Sequence, residues 1–202
     1  MNTEIVPANQ IERALKILKN GGLVAFPTDT VYGLGSLAFD TTAIEGIYIA
    51  KDRPIEKAIP VLIADAADLP KIADSVPEMA RVFAEHFWPG PLTCVVPKKG
   101  TLPAAISATE TVAVRIPDHP DARALLRAAG PMAVTSANIS GQASPITAQE
   151  VYQQLVGRIP LILDGGRTPG GVPSTLVDCT GREPKILREG PISLEDLLRM
   201  LE

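Results

Sequence analysis

Four short stretches of the sequence combine cations, small hydroxyls and glycines next to apolar runs. They are PTDTVYGLG (27–35), KDRPIEK (51–57), VTSANISG (134–141) and DGGRTPGGVPSTLVD (164–178). Glycine lets a backbone approach a ligand closely, and a hydroxyl can bind a small polar group. Lysine and arginine bind phosphate as a mobile point charge and as a bidentate fork. The set favours an anionic ligand that is joined to a small polar group.

Cations are the second shared feature of these candidate sites. Arg53 lies between Lys51 and Lys57, and the following Pro54 extends the chain and restricts the direction of Arg53. Arg115 in TVAVRIP and Arg188 in ILREG each end a predicted strand. The sequence therefore predicts a phosphate clamp assembled from distant segments.

Each stretch also has a plainer structural interpretation. A lone G-x-G is typical of a tight turn, and cations at the end of a helix interact favourably with its dipole. Ser136 could be a nucleophile, but the flanking glycines of a nucleophile elbow are absent. The chain has no Walker A pattern, which excludes a P-loop enzyme.

Alternating helices and strands must position these residues. Apolar spacing predicts helices at 9–19, 41–51, 65–73, 77–88, 118–129, 147–156 and from 194, the last two capped by Thr147 and Ser193. Strands are predicted at 23–27 and 58–64, in LTCVVPK, TVAVRIP and MAVTS, and in PLILD, STLVDC and PKILRE. This order indicates one α/β domain over residues 1–202 with a mixed sheet. We expect the last three strands to be neighbours, partly antiparallel, because short connections join them.

Composition limits the class of protein. Hydrophobic residues make up 46% and charged residues 21% of the chain, as in an ordinary globular protein. No apolar run approaches the ~20 residues of a membrane span, and the N-terminus does not resemble a signal peptide, so we expect a cytoplasmic protein. Two cysteines and two histidines, widely scattered, argue against a structural metal site. A net charge of −4 argues against a broad nucleic-acid surface but leaves room for a local basic cleft.

Five motifs, taken in order, resemble the YrdC-like threonylcarbamoyl-AMP synthases. These are PTDTVYGLG, KDRP, VAVRIP, TSANISG and PSTLVD with ILREG, and the resemblance covers about residues 10–195. The K-x-R and S-x-N signature of that family matches Lys51, Arg53, Ser136 and Asn138. The resemblance implies a twisted open mixed sheet with flanking helices and a large concave cavity. It also implies the short, single-domain form of the family, which relies on partner proteins for the later transfer of threonylcarbamoyl to tRNA.

The resemblance further implies a reaction in which L-threonine, bicarbonate and ATP with Mg²⁺ give threonylcarbamoyl-AMP and pyrophosphate. Lys51, Arg53 and Lys57 would neutralise the phosphates, and Thr30, Arg115 and Ser174 would hold threonine, Arg115 through its carboxylate. The remaining nucleotide contacts would come from Thr111, Ser136, Asn138, Ser144 and Arg188, while Tyr32 would shape the pocket.

Two departures and two alternatives stay open. Lys57-Ala58-Ile59 replaces a Lys-Pro-Leu found in many relatives, and Leu62 stands where some relatives have a histidine. The same cavity could belong to a non-catalytic module that binds RNA or a nucleotide. A similar fold also serves carbamoyl transfer in a maturation enzyme, but that enzyme is much longer and carries zinc-finger motifs.

Overall fold

The computed structural model describes residues 1–202, and ten strands in it form one open mixed sheet. The strands are β1 (Glu4–Pro7), β2 (Val24–Phe26), β3 (Gly33–Leu37), β4 (Val61–Leu62), β5 (Leu92–Pro97), β6 (Thr111–Arg115), β7 (Met132–Ser136), β8 (Leu161–Asp164), β9 (Thr175–Asp178) and β10 (Lys185–Arg188). Their order is β1-β8-β2-β3-β7-β4-β6-β5-β9-β10. The pairs β1–β8, β2–β8, β4–β6 and β5–β9 are parallel, and the other pairs are antiparallel.

Seven α-helices flank the sheet. They are α1 (Ile11–Lys19), α2 (Thr41–Lys51), α3 (Leu69–Ile72), α4 (Glu78–Phe87), α5 (Pro120–Ala129), α6 (Ala148–Leu155) and α7 (Leu194–Arg199), and a 3-10 turn at Ala66–Asp68 leads into α3. Thr147 and Ser193 cap α6 and α7 as predicted, because each side chain accepts a hydrogen bond from the backbone N–H three residues ahead. None of these helices is both long enough and apolar enough to span a membrane.

The two faces of the sheet are covered unequally. A cluster of 34 buried residues packs α2, α4, α6 and α7 against one face, and a cluster of 16 packs α1 and α5 against the other. Strand β2 contributes side chains to both clusters, since Ala25 belongs to the larger cluster and Val24 and Phe26 belong to the smaller one. The smaller cluster reaches only part of its face, which leaves β6, β5, β9 and β10 without a helix on that side.

Strand β5 shows how the half of the sheet without helices forms a cavity. On β5, Leu92, Cys94 and Val96 point into the larger core, whereas Thr93 and Val95 line a cavity. Because successive side chains of a strand point to opposite faces, this alternation makes the exposed half of the sheet the floor of a concave site.

Two expectations about the sheet were wrong. The segment from Gly33 to Gly35 is not a turn: it lies in β3, paired with β2 and β7. A Cβ on Gly33 would lie 2.7 Å from Val134 Cγ1, so glycine there makes room for a neighbouring strand. Strand β8 is not next to β9 but lies between β1 and β2, so only β9 and β10 form the expected antiparallel pair.

Candidate functional site

A cavity of about 390 Å³ lies on the uncovered half of the sheet, within the usual size range of small-molecule sites. Segments that are far apart in sequence line it. Among the residues singled out from the sequence, the cavity is lined by Thr28, Thr30, Tyr32, Gly33, Arg53, Leu62, Thr111, Arg115, Ser136, Ser174 and Arg188.

Three guanidinium groups make the cavity electropositive. Burial lowers the pKa of Arg188, and the positive charges of Arg115 and Arg53 lower it further. Arg115 is paired with the carboxylate of Asp29, whereas Arg53 donates to the carbonyl oxygens of Lys57 and Ala58. Two cations of this cavity therefore have no carboxylate partner, which suits an anionic ligand.

Three hydrogen bonds to other protein groups fix the position of the Arg115 guanidinium. Its Nε donates to the Gly90 carbonyl at 2.8 Å, its Nη1 to Thr30 Oγ1 at 3.0 Å and its Nη2 to Asp29. A guanidinium carries five N–H groups, so these three bonds leave two N–H groups for a ligand. Arg115 thus positions Thr30 and keeps part of its fork available.

The glycine-rich loop between β8 and β9 supports the turn that carries Thr30. Gly170 N–H donates to the Asp29 carbonyl at 3.1 Å, and Gly171 N–H donates to the Thr30 carbonyl at 2.8 Å. A Cβ on Gly170 would lie 2.7 Å from the Asp29 carbonyl oxygen, so only glycine fits there without a shift. The hydroxyl of Tyr32 donates to the Gly166 carbonyl at 2.7 Å and fastens the other end of the loop. Burial raises the pKa of Tyr32 to about 12, so the phenol keeps its proton.

Ser174 and Arg188 form a second hydrogen-bonded unit in the cavity lining. Arg188 Nη2 lies 2.8 Å from the Ser174 carbonyl and 3.1 Å from Ser174 Oγ. Ser174 Oγ also lies 2.7 Å from Thr93 Oγ1, and the Thr93 side chain is buried. Ser174, which is expected to bind the amino acid, and Arg188, which is expected to bind the nucleotide, are therefore in direct contact.

Lys51 is close to the S-x-N turn but does not line the cavity. Its Nζ donates to the carbonyl oxygens of Ser136 and Asn138, and the residue is only 1% exposed. Burial lowers the pKa of Lys51 to about 7, and the charge of Arg53 adds to this effect. The four signature residues are thus brought together, with Lys51 behind the turn rather than in front of it.

The two side chains of the S-x-N turn have different surroundings. Ser136 lines the cavity, while Asn138 is buried and its Nδ2 donates to the carbonyls of Ile139 and Gln142 at 2.8 and 2.9 Å. Asn138 Oδ1 is buried without a hydrogen-bond partner. The side-chain amide of Asn138 thus stabilises its own loop, and its Oδ1 accepts no hydrogen bond.

The other expected nucleotide contacts divide into two groups. Thr111 lines the cavity and ends a row of hydroxyls, with Thr109 Oγ1 2.9 Å from both Thr111 Oγ1 and Ser107 Oγ. Lys57 is exposed and Ser144 half-buried, and neither lines the cavity. Leu62 is buried in the cavity wall and contributes apolar surface where some relatives have a histidine.

Sequence reasoning missed the residues that hold the site residues in place. Asp29 was not assigned, although it precedes the assigned Thr30, and its contact with Arg115 joins positions 86 residues apart. Thr93 could have been suspected, because it is a polar residue on the non-core side of an otherwise apolar strand. Glu56, in the K-x-R loop, also lines the cavity.

A family model for the Sua5/YciO/YrdC domain, described as "telomere recombination", matches residues 16–190. The chain belongs to the Sua5/YciO/YrdC family. The five motifs on which the resemblance was based all lie within the matched residues or at their edge.

Curated relatives within the Sua5/YciO/YrdC family have names that indicate an activity. A Bacillus subtilis protein named threonylcarbamoyl-AMP synthase is 45% identical over 93% of this chain and 55% of its own length. A Mycobacterium tuberculosis protein named putative threonylcarbamoyl-AMP synthase is 41% identical over 95% of this chain and 88% of its own length. The chain therefore spans little more than half of the first of these relatives and most of the second.

A solved structure of the same family confirms the expected fold. The crystal structure of P. abyssi Sua5 complexed with L-threonine matches with a TM-score of 0.93 and 42% identity, covering 99% of this chain and 59% of that one. The similarity extends over the whole sheet, including the strands that carry the cavity.

Proposed function

We propose that this protein is a threonylcarbamoyl-AMP synthase that uses ATP, L-threonine and bicarbonate. One observation carries the proposal: a single cavity combines two guanidinium groups that lack carboxylate partners with a cluster of hydroxyls around Thr30. A triphosphate needs the first feature and a small hydroxylated amino acid the second. The names of the curated relatives and the threonine complex of P. abyssi Sua5 support the same conclusion.

The proposal assigns the nucleotide to the side of the cavity with Arg53, Thr111, Ser136 and Arg188. Arg53 and Arg188 would neutralise the charge that builds on the phosphoryl oxygens and the leaving pyrophosphate, in a half-buried site where such interactions are strong. Lys51 would act through the Ser136 and Asn138 backbone that it holds. Contacts of Lys57, Asn138 and Ser144 with ATP stay predictions, since these three residues do not line the cavity.

The amino acid is assigned to Thr30, Arg115 and Ser174. The two N–H groups of Arg115 that are left over would bind the carboxylate of threonine, and the hydroxyls would bind its other polar groups. In the proposed reaction the threonine amine attacks the carbon of CO₂ and releases a proton, or attacks bicarbonate and releases water, and so forms a carbamate. A carbamate oxygen then attacks the α-phosphorus of ATP, and the bond to pyrophosphate breaks. The protein mainly positions reactants and neutralises charge.

Mg²⁺ would enter with ATP rather than as a resident metal. No group of three or more His, Cys, Asp or Glu side chains in residues 1–202 is arranged to hold a metal ion. Glu56 is the carboxylate among the lining residues, and Mg²⁺ typically binds to substrate phosphates with one or two carboxylates. When bound, the ion would neutralise phosphate charge.

The wider setting is also part of the proposal. The product would serve the threonylcarbamoylation of tRNA by partner proteins, with residues 1–202 acting as one catalytic domain in the cytoplasm. Direct contact with tRNA is also part of the proposal, and filter binding across a salt series tests it.

The product itself tests the proposed function. The purified chain is incubated with ATP, L-threonine, Mg²⁺ and ¹³C-bicarbonate, and the mixture is analysed by mass spectrometry. We expect a threonylcarbamoyl-adenylate that carries one ¹³C. Formation of no labelled adenylate, together with tight binding of ATP, would favour the non-catalytic nucleotide-binding module instead.

A further inference from the structure

A chain of hydroxyls lines the amino-acid side of the cavity, and its hydrogen-bond directions can be assigned. Thr28 Oγ1 donates its single proton to the Val31 carbonyl at 2.7 Å, since a carbonyl can only accept. It also accepts from the Thr30 N–H at 3.2 Å. The contact of 3.0 Å between Thr28 Oγ1 and Thr30 Oγ1 must then use the proton of Thr30.

Thr30 is left with one acceptor position and no proton for a ligand. Its Oγ1 donates to Thr28 and accepts from Arg115 Nη1 at 3.0 Å, which uses one of its two lone pairs. Both threonine side chains are buried and line the cavity. A ligand group that meets the free lone pair must be a donor, because an acceptor there would face another acceptor.

We propose that Thr28 is a positioning residue that keeps Thr30 an acceptor and thereby makes this corner of the cavity select the amine of the amino acid. The inference rests on the proposed function and deepens it. Thr30 Oγ1 is a neighbour of the Arg115 fork, and the group next to the carboxylate of an α-amino acid is its amine. A carboxylate on Arg115 therefore brings an amine N–H to the free lone pair of Thr30.

The chain of hydroxyls also limits what Thr30 can do in the reaction. It ends at the Val31 carbonyl, an amide oxygen that does not take up a proton at neutral pH. Thr30 therefore orients the amine through one N–H and leaves the nitrogen lone pair free to attack carbon. The ammonium of threonine loses one proton to solvent before its nitrogen attacks CO₂, and the new carbamate releases a second proton, also to solvent.

The test compares L-threonine with the 3-hydroxybutanoate of the same configuration at C3, in which hydrogen replaces the amine. The affinity of both ligands is measured by titration calorimetry for the wild-type chain, Thr28→Val and Thr28→Ser. Valine removes the hydroxyl at nearly constant volume and frees Thr30 to turn its proton to the ligand. Serine keeps the hydroxyl and is the matched control.

We expect the wild-type chain to prefer threonine, and Thr28→Val to reduce this preference roughly five- to tenfold, the value of one hydrogen bond. Thr28→Ser should keep the wild-type ratio. A structural defect alone would weaken both ligands equally and leave the ratio unchanged. If Thr28→Val does not fold, as judged by circular dichroism, Thr28→Ala provides the same loss of the hydroxyl.

The outcomes separate the two claims. An unchanged ratio in the hydroxyl-free variant, with wild-type preference for threonine intact, overturns the role of Thr28 and leaves the proposed function standing. A wild-type chain that binds neither ligand, even with ATP present, overturns the proposed function and this inference with it.

Discussion

The ammonium of Lys51 contacts the backbone carbonyl of Ser136 and not the cavity that Ser136 lines. The same ammonium bonds to the Asn138 carbonyl, so the end of α2 and the turn after β7 are fastened together. The K-x-R and S-x-N motifs are therefore coupled through the backbone. Lys51 should therefore contribute to the stability of the fold.

Replacing Lys51 with methionine should change the pH dependence of stability. Burial lowers the pKa of Lys51 from its ordinary value of 10.5 to about 7 in the folded chain. Between these values the unfolded chain binds more protons at this position, so the unfolding free energy of the wild type rises with pH by up to about 1.4 kcal/mol per unit. Lys51→Met lacks this contribution. The unfolding free energy of the wild type minus that of the variant should therefore increase from pH 7 to pH 9.

Urea unfolding of both proteins at several pH values measures this gap. At pH 7 the variant should also lose ~1–3 kcal/mol, because two buried carbonyls lose their donor. A gap that stays constant with pH would show that Lys51 is charged in the folded state throughout.

Arg53→Ala should abolish most turnover while the fold remains. Arg53 lines the cavity and has no carboxylate partner, so it is available to a phosphate. Loss of one preorganised charge donor typically lowers the rate ~10²–10³-fold. Arg81→Ala is the control, since that residue forms an exposed ion pair with Glu78 on α4. Pyrophosphate release at saturating threonine measures both, and equal rates for the two variants would remove Arg53 from the site.

Asp29→Ala should destabilise the chain and weaken threonine binding together. Asp29 and Arg115 form an ion pair whose side chains are only 11% and 6% exposed. Removing one partner of a buried pair leaves an uncompensated charge, which typically costs ~3–5 kcal/mol. Glu4→Ala breaks an exposed pair with Arg13 and should cost less than about 1 kcal/mol. Thermal unfolding and the KM for threonine measure the two effects, and a stable variant with normal KM would contradict the assigned role of the pair.

Gly170→Ala should raise the KM for threonine more than the KM for ATP. The new methyl would lie 2.7 Å from the Asp29 carbonyl oxygen and 2.9 Å from Thr30 Cα, so the turn has to move. Gly100→Ala is a matched control, because nothing lies within 4 Å of a Cβ placed there. Steady-state kinetics with each substrate varied in turn makes the comparison. Equal changes in both KM values would indicate a general defect instead.

Local sequence patterns predicted the helices better than the sheet. The spacing of Ile44, Ile47 and Tyr48 predicts a helix at 41–51, and α2 has these bounds. Strand β3 was missed because its sequence, GLGSL, has little β-propensity; it is held by β2 and β7 on its two sides. A strand stabilised by distant neighbours leaves no local signal.

The site was predictable to a similar degree. Cations and hydroxyls that follow strands were expected to converge, and Arg53, Arg115 and Arg188 do line one cavity. The direction of the Lys51 side chain could not be predicted, since it depends on where a turn 85 residues away is placed. Asp29 could not be identified as the partner of Arg115 either, because the two residues are 86 positions apart.

Omission of substrates provides the most direct test of the account. Pyrophosphate release from ATP is followed with the purified 202-residue chain, with L-threonine and bicarbonate each left out in turn. We predict release only when both are present, because one cavity has to bind the triphosphate and the amino-acid carbamate together. Release that is unchanged without threonine, or absent from the complete mixture, would contradict the central claim.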